Sequence, residues 1–129
     1  MGKILLVDDS LTDRTLIRKI LQARDHEIVE AEEGDAVVDA AVAQHPDLIL
    51  LDIVMPGVNG YEICRNLKKT EDTRNIPVVF ISSKKHNSDI FWGKLQGAEE
   101  YLVKPFQPEI LLMLVDKYLG KKQDNQGNE

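Results

Sequence analysis

Residues 3–10 of the chain read KILLVDDS, an apolar run from Ile4 to Val7 that is followed by two adjacent carboxylates, Asp8 and Asp9. A short aliphatic run of this kind indicates a buried strand. Two neighbouring negative charges repel each other, and aspartate is disfavoured in strands. Successive strand side chains point to opposite faces, so both carboxylates face one site only where regular strand geometry stops. We therefore predict that the pair straddles the junction between a strand and a loop.

Four more short apolar runs follow along the chain. They are HEIVEA (26–31), DLILLD (47–52), IPVVFIS (76–82) and EYLVKP (100–105). The run at 47–52 and the run at 76–82 are apolar at both odd and even positions, which is typical of strands covered on both faces. The run at 26–31 alternates more, so we expect it at an edge of the sheet.

Helical patterns separate these runs, which gives the order (βα)₅. Strands that alternate with helices predict an α/β fold in which a parallel sheet carries helices on both faces. Right-handed crossovers leave few topologies, and we expect the doubly wound, flavodoxin-like order 2-1-3-4-5. In such a sheet, function gathers beyond the carboxyl ends of the strands, near the point where the strand order reverses.

Two helical patterns carry specific expectations. Ser10 with Asp13 is interpreted as a capping box at the start of the first helix. Phe91, Leu95 and Ala98 are interpreted as the buried stripe of the fourth helix.

The totals limit the classes of function. A chain of 129 residues is one domain by length, which we assign to residues 1–120 with a polar tail at 121–129. With 16 Lys and Arg against 22 Asp and Glu, the formal charge is −6, which disfavours sequence-independent binding to nucleic acid or anionic membranes. The single cysteine, Cys64, allows no internal disulfide. With no signal peptide and no run long enough for membrane insertion, we expect a cytoplasmic protein.

Polar side chains stand at the ends of the central strands. They are Asp8 and Asp9, Asp52, Ser82 and Ser83, and Lys104 before Pro105. Three partly buried carboxylates destabilise one another, so positive charge is required beside them. Lys104 supplies one charge, and an oxygen-rich cluster without thiol or imidazole suits Mg²⁺.

This set of groups matches phosphoryl transfer to a carboxylate. An aspartate can act as the nucleophile, and the remaining requirement is to neutralise the phosphoryl oxygens. Mg²⁺, Lys104 and the Ser82 hydroxyl with nearby backbone N–H groups supply those contacts, which leaves Asp52 at the centre as the nucleophile.

At this point the chain resembles the receiver domains of two-component response regulators. The matching motifs are LLVDDS (5–10), LILLDIVMPGVNG (48–60), IPVVFISS (76–83) and GAEEYLVKPF (97–106), and the likeness covers residues 3–119. The combination of an Asp pair, a lone Asp followed by MPG, and a Lys-Pro, each at a strand end, is specific. Chemotaxis receivers share the expected strand order.

The resemblance implies a role for each site residue. Asp52 would be the phosphoacceptor. Asp9 would bind Mg²⁺ directly, with Mn²⁺ as a substitute, and Asp8 would act through a metal-bound water. Asp52 and the backbone carbonyl of Val54 would complete the protein ligands.

The same resemblance assigns the groups around the phosphate. Lys104 would bind the phosphoryl group, and its bond to Pro105 is usually cis in the family. Ser82 would be the switch hydroxyl, and Tyr101 the aromatic that turns inward when Ser82 moves. Ser83 stands where alanine is more usual. Two positions would tune the lifetime of the phosphorylated state, Val54 and Lys84.

The implied activity is signalling, with no enzymatic turnover beyond self-phosphorylation and autodephosphorylation. A histidine kinase would donate the phosphoryl group, and a downstream target protein would bind a face made by the fourth helix, fifth strand and fifth helix. Candidates on that face are Ile90, Lys94 and Tyr101. A monomer, or a weak dimer formed on phosphorylation, is expected. If the chain is a whole gene product, it leaves no room for a DNA-binding domain. The stretch FWGKLQGAEEYLVKPF (91–106) is similar to receivers of chemotaxis-like systems that control type IV pilus motility.

Three alternatives remain open at this point. An Asp-nucleophile phosphatase wants a second aspartate two residues after the nucleophile, where this chain has Val54. A flavin or nucleotide carrier of the same fold wants a phosphate-binding loop after the first strand, but DDSLTD is acidic. A receiver acting as a phosphate sink shares every residue with a signalling receiver and differs only in the decay rate of its phosphorylated state.

Overall fold

The computed structural model describes residues 2–120. The strands are β1 (Lys3–Val7), β2 (Glu27–Ala31), β3 (Leu48–Leu51), β4 (Val78–Ser82) and β5 (Glu100–Val103). The helices are α1 (Leu11–Leu21), α2 (Val37–Gln44), α3 (Gly60–Lys69), α4 (Asn87–Leu95) and α5 (Pro108–Leu119), and a single 3₁₀ turn at Gly34–Ala36 precedes α2. The tail expected at 121–129 lies outside the described residues.

The five strands form one parallel sheet in the order β2-β1-β3-β4-β5. This confirms the expected doubly wound topology, with β2 at an edge. Val7 pairs with both Ala31 of β2 and Leu51 of β3, so the last residues of these strands are in register. The residues that follow them therefore emerge together at one edge of the sheet.

Helices cover both faces of the sheet. α2 and α3 pack one apolar layer against it, and α1 and α5 pack the other. Every residue of β3 and β4 is buried, as expected for strands covered on both sides. Within residues 2–120, no helix has the length and apolar character needed to cross a membrane.

The start of α1 differs from the predicted capping box. Ser10 is the N-cap, and its Oγ accepts a hydrogen bond from the backbone N–H of Asp13 at 3.2 Å. The reciprocal bond is absent, because the N–H of Ser10 donates to Asp8 Oδ1 at 2.9 Å. The Asp13 carboxylate instead accepts a hydrogen bond from Lys104 at 2.7 Å. The capping-box prediction is therefore wrong in this half, since a stronger charged partner competes for the Asp13 side chain.

The predicted buried stripe of α4 is wrong for Phe91 and Leu95, which are 66% and 58% exposed. α4 faces the sheet through Gly93 instead. A Cβ at Gly93 would lie 3.0 Å from Phe80 Cδ2 and 3.1 Å from Tyr101 Cδ2. Two aromatic rings thus fill the space beneath α4, and the helix packs on them through Gly93, which has no side chain.

The end of α4 explains the third member of that stripe. Gln96 caps the helix and Gly97 follows with φ of 108°, a conformation that favours glycine. Ala98 is buried as expected, but it lies after the helix, in the connection to β5.

Candidate functional site

The acidic pair lies at the junction of β1 with the following loop, as predicted. β1 ends at Val7, and the N–H of Asp8 extends the ladder by one bond to the carbonyl of Ala31 at 3.2 Å. Asp8 is 1% exposed, whereas Asp9 is exposed. The two neighbouring carboxylates therefore meet different surroundings.

Asp52 directly follows β3 and is held from both sides. Its N–H donates to the carbonyl of Val7 at 3.0 Å, and its Oδ1 accepts from the N–H of Ile53 at 2.7 Å. A Cβ at Gly60, the first residue of α3, would lie 2.2 Å from the Asp52 carbonyl oxygen. Glycine at this position lets α3 pack directly on the strand end that carries Asp52.

Asp8, Asp9 and Asp52 form a carboxylate cluster. One oxygen from each lies within 4.8 Å of the others, and this is a spacing that can hold a metal ion. Three hard oxygen ligands without sulfur or imidazole fit Mg²⁺. Val54, two residues after Asp52, lies in the loop beyond β3, and its side chain is exposed.

Lys104 brings positive charge to the cluster. Its Nζ lies 2.8 Å from Asp8 Oδ2, 2.7 Å from Asp13 Oδ2 and 3.4 Å from Asp52 Oδ2. Its backbone N–H donates to the carbonyl of Ser82 at 2.9 Å, which sets it beside the end of β4. The bond from Lys104 to Pro105 is cis, as the resemblance implied.

Burial and the neighbouring charges shift the pKa values of Asp52 and Lys104. Burial raises the pKa of the Asp52 carboxyl and the charge on Asp8 adds to this, although Lys104 opposes both. Burial alone would lower the pKa of Lys104, but hydrogen bonds to Asp13 and Asp8 outweigh it and hold that pKa above its ordinary value. Lys104 therefore carries its charge throughout the physiological pH range. The ionised form of Asp52 is less favourable here than in water, because its pKa is raised.

The switch candidates lie next to this cluster. Ser82 is fully buried, its Oγ accepts from the N–H of Lys84 at 3.3 Å, and its hydroxyl opposes the rise in the pKa of Asp52. The Tyr101 hydroxyl donates to the carbonyl of Lys84 at 2.7 Å, and its ring centroid lies 5.9 Å from that of Phe80. Burial raises the pKa of Tyr101 to about 12. Lys84 thus connects Ser82 and Tyr101 through its backbone, while its Nζ lies 3.7 Å from Asp89 Oδ1.

The three candidates for a partner surface lie at different depths. Lys94 is exposed, whereas Ile90 and Tyr101 are half-buried. The exposed apolar area on α4 comes from other residues, namely Phe91, Trp92 and Leu95.

Two residues at the site escaped the sequence analysis. Asp13 contacts Lys104, as described above, and Arg14 is a buried cation. Arg14 Nη1 donates to the carbonyl of Asp8, and its Nε donates to Glu30 Oε1 at 2.9 Å. A signal for Arg14 exists, because it shares the helical spacing of buried Ile17 and Leu21. No local pattern signals the contact of Asp13, which lies 91 residues from Lys104.

The site thus combines a doubly wound parallel sheet with three carboxylates, a buried hydroxyl and a lysine at the carboxyl ends of its strands. The sequence profile of the response regulator receiver domain matches residues 4–116. The chain belongs to the response regulator receiver family, whose members are signalling proteins of two-component systems.

Individual relatives agree with this assignment. Protein PilH of Pseudomonas aeruginosa is 41% identical over 120 residues, which cover 93% of this chain and 99% of PilH. Several other relatives are transcriptional regulatory proteins, and the chain spans about half of their length.

Solved structures show the same fold. The chemotaxis protein CheY4 of Vibrio cholerae superposes with a TM-score of 0.84 at 30% identity, covering 92% of this chain and 99% of CheY4. The receiver domain of the sensor histidine kinase PA1611 from Pseudomonas aeruginosa has a TM-score of 0.85 at 27% identity, covering 93% of this chain and 98% of that domain. That structure contains a magnesium ion coordinated in the active site cleft.

Proposed function

We propose that this chain accepts a phosphoryl group on Asp52 from a phosphohistidine of a histidine kinase, and that it signals through altered protein contacts. The observation that carries the proposal is the position of Asp52. It is a buried carboxylate that belongs to the carboxylate cluster and has the Lys104 ammonium 3.4 Å from its Oδ2.

In the proposed transfer, an Asp52 carboxylate oxygen forms a bond to phosphorus while the bond between phosphorus and the histidine nitrogen breaks. The electron pair of that bond stays on the imidazole, which takes up a proton. Lys104 holds positive charge beside the phosphoryl oxygens, which is the main requirement of such a reaction. Autodephosphorylation moves the phosphoryl group from Asp52 to water.

The proposed metal is Mg²⁺, with Mn²⁺ as a substitute. Asp9, Asp52 and the Val54 carbonyl would bind it directly, and Asp8 would act through a water. When bound, the ion supplies the positive charge that the three carboxylates and the phosphoryl group need. The oxygen spacing of the carboxylate cluster and the magnesium in the PA1611 receiver support this assignment.

The proposed switch uses Ser82 and Tyr101. Ser82 would move toward a phosphorylated Asp52, and Tyr101 would turn inward after it. Because Lys84 holds Ser82 through its N–H and Tyr101 through its carbonyl, a shift of one is mechanically linked to the other. Lys84 and the exposed Val54 flank the site at positions from which they would tune the lifetime of the phosphorylated state.

The proposed output surface is formed by α4, β5 and α5, with Ile90, Lys94 and Tyr101 as its candidate residues. A downstream target protein would bind there in the cytoplasm, in pilus-based motility or taxis. The similarity to PilH and to a chemotaxis protein supports the pathway.

Beryllofluoride, which mimics a phosphoryl group on a carboxylate, tests the phosphoacceptor. We expect Mg²⁺ with beryllofluoride to raise the melting temperature well above that with Mg²⁺ alone, because a ligand that binds only the folded state stabilises it. Asp52→Asn should abolish the beryllofluoride increment. Asp39→Asn, which changes an exposed carboxylate on α2, is the matched control and should keep it. A full response in Asp52→Asn would show that another residue is the phosphoacceptor.

A further inference from the structure

We propose that Asp13 is a positioning residue that holds the Lys104 ammonium away from Asp52 in the unphosphorylated protein. This inference rests on the proposed function. Lys104 Nζ lies 2.7 Å from Asp13 Oδ2, the shortest of its three carboxylate contacts, and 3.4 Å from Asp52 Oδ2, the longest. The ammonium group therefore leans toward α1 and away from the proposed phosphoacceptor.

The hydrogen count of the ammonium makes this contact consequential. A lysine Nζ carries three hydrogens, and here carboxylate oxygens of Asp8, Asp13 and Asp52 account for three contacts. To contact an oxygen of a phosphoryl group on Asp52, the Lys104 ammonium must move toward Asp52, the most distant of its three carboxylate partners. Since Asp13 and Asp52 attract the ammonium from different elements, moving toward one weakens the bond to the other.

Asp13 is placed to exert this pull without being part of the carboxylate cluster. It lies in the first turn of α1, which is fixed by the Ser10 cap and by the bond from Arg14 to the Asp8 carbonyl. The Asp13 side chain is 38% exposed, whereas that of Lys104 is 16% exposed. A substitution of Asp13 therefore leaves the buried part of the site in place, and what it removes is the competing charge.

The test measures the affinity for beryllofluoride at saturating Mg²⁺. Asp13→Asn keeps the shape of the side chain and releases Lys104, so we expect beryllofluoride to bind about two- to fivefold more tightly than in the wild type, the effect of one partly exposed ion pair. Phosphorylation by acetyl phosphate should also be faster in Asp13→Asn than in the wild type. A purely structural role predicts the opposite sign, because damage to the site weakens binding.

Two control variants isolate the contact from net charge. Glu33→Gln removes one exposed negative charge from the surface depression beside Asp9, and Lys104 does not line that depression. Asp13→Glu keeps the charge at position 13. We expect both to bind beryllofluoride within about twofold of the wild type.

The outcomes separate the two levels of inference. A gain in Asp13→Asn that is absent from both controls supports the role of Asp13. An equal gain in Glu33→Gln, or no gain in Asp13→Asn while the wild type binds beryllofluoride, overturns that role and leaves the proposed function standing. Failure of the wild type to bind beryllofluoride overturns the proposed function itself.

Discussion

Asp8 and Asp9 are adjacent in the chain, yet their side chains have different surroundings. Both carboxylate oxygens of Asp8 accept hydrogen bonds, Oδ1 from the N–H of Ser10 and Oδ2 from Lys104. Asp9 is exposed and lines an open acidic depression with Glu32 and the loop after β3. A carboxylate at the solvent edge can bind a hydrated ion with less loss of other contacts. This asymmetry supports Asp9 as the direct ligand and Asp8 as a group that works through water.

At the residue scale, the prediction concerns this acidic depression. Asp9→Ala should weaken Mg²⁺ binding at least about tenfold, because even residues that only support a metal ligand typically cost that much. Glu32→Ala removes a charge from the same depression and should change the affinity less than about twofold. Isothermal titration with MgCl₂ measures both. Equal effects of the two substitutions would remove the metal assignment of Asp9.

Among the elements, α4 differs most from its prediction in the way it contacts the sheet. Its apolar residues Phe91, Trp92 and Leu95 face outward, and the helix rests on Phe80 and Tyr101 through Gly93. Since Tyr101 is the proposed switch aromatic, a change in its orientation acts directly on the helix that presents the proposed output surface. The exposed apolar residues belong to the side of α4 turned away from the sheet.

At the element scale, substitutions on α4 should have little effect on stability. Phe91→Gln and Leu95→Gln should each change the free energy of unfolding by less than about 0.5 kcal/mol, as is usual for exposed positions. Leu67→Ala in α3 is the buried control and should cost about 2–5 kcal/mol, because Leu67 is fully buried. Urea unfolding distinguishes these values. A loss above about 2 kcal/mol in either α4 variant would restore the buried stripe that the sequence suggested.

Some of these elements follow directly from the sequence, and others do not. β3 and β4 were predictable because burial on both faces removes polar residues from both parities of a strand. The inward side of α4 was not, because periodicity shows which residues share a side of a helix but not which side meets the core. The glycine that decides it, Gly93, carries no hydrophobic signal. Likewise, the contact between Asp13 and Lys104 depends on how α1 approaches the end of β5, which no local pattern encodes.

For the whole molecule, the parallel sheet is what assembles the site. Asp8, Asp52, Ser82 and Lys104 come from the ends of four different strands, and the register of the sheet brings those ends to one edge. Burial raises the pKa of Asp52 and the charge on Asp8 adds to this, and Lys104 offsets the two only in part. The two apolar layers therefore hold a cluster of like charges together, and they keep the proposed phosphoacceptor Asp52 beside the Lys104 cation.

If Asp52 alone accepts the phosphoryl group, as we propose, chemical mapping of the modified residue shows it. The full chain would be incubated with Mg²⁺ and acetyl phosphate and reduced with borohydride, which converts an aspartyl phosphate to homoserine. Peptide mass spectrometry then locates the converted position. The assignment of Asp52 as the phosphoacceptor predicts homoserine at position 52 and aspartate unchanged at positions 8, 9 and 13. Homoserine at any of those three positions, or an unconverted Asp52 in a chain that binds Mg²⁺, would contradict it.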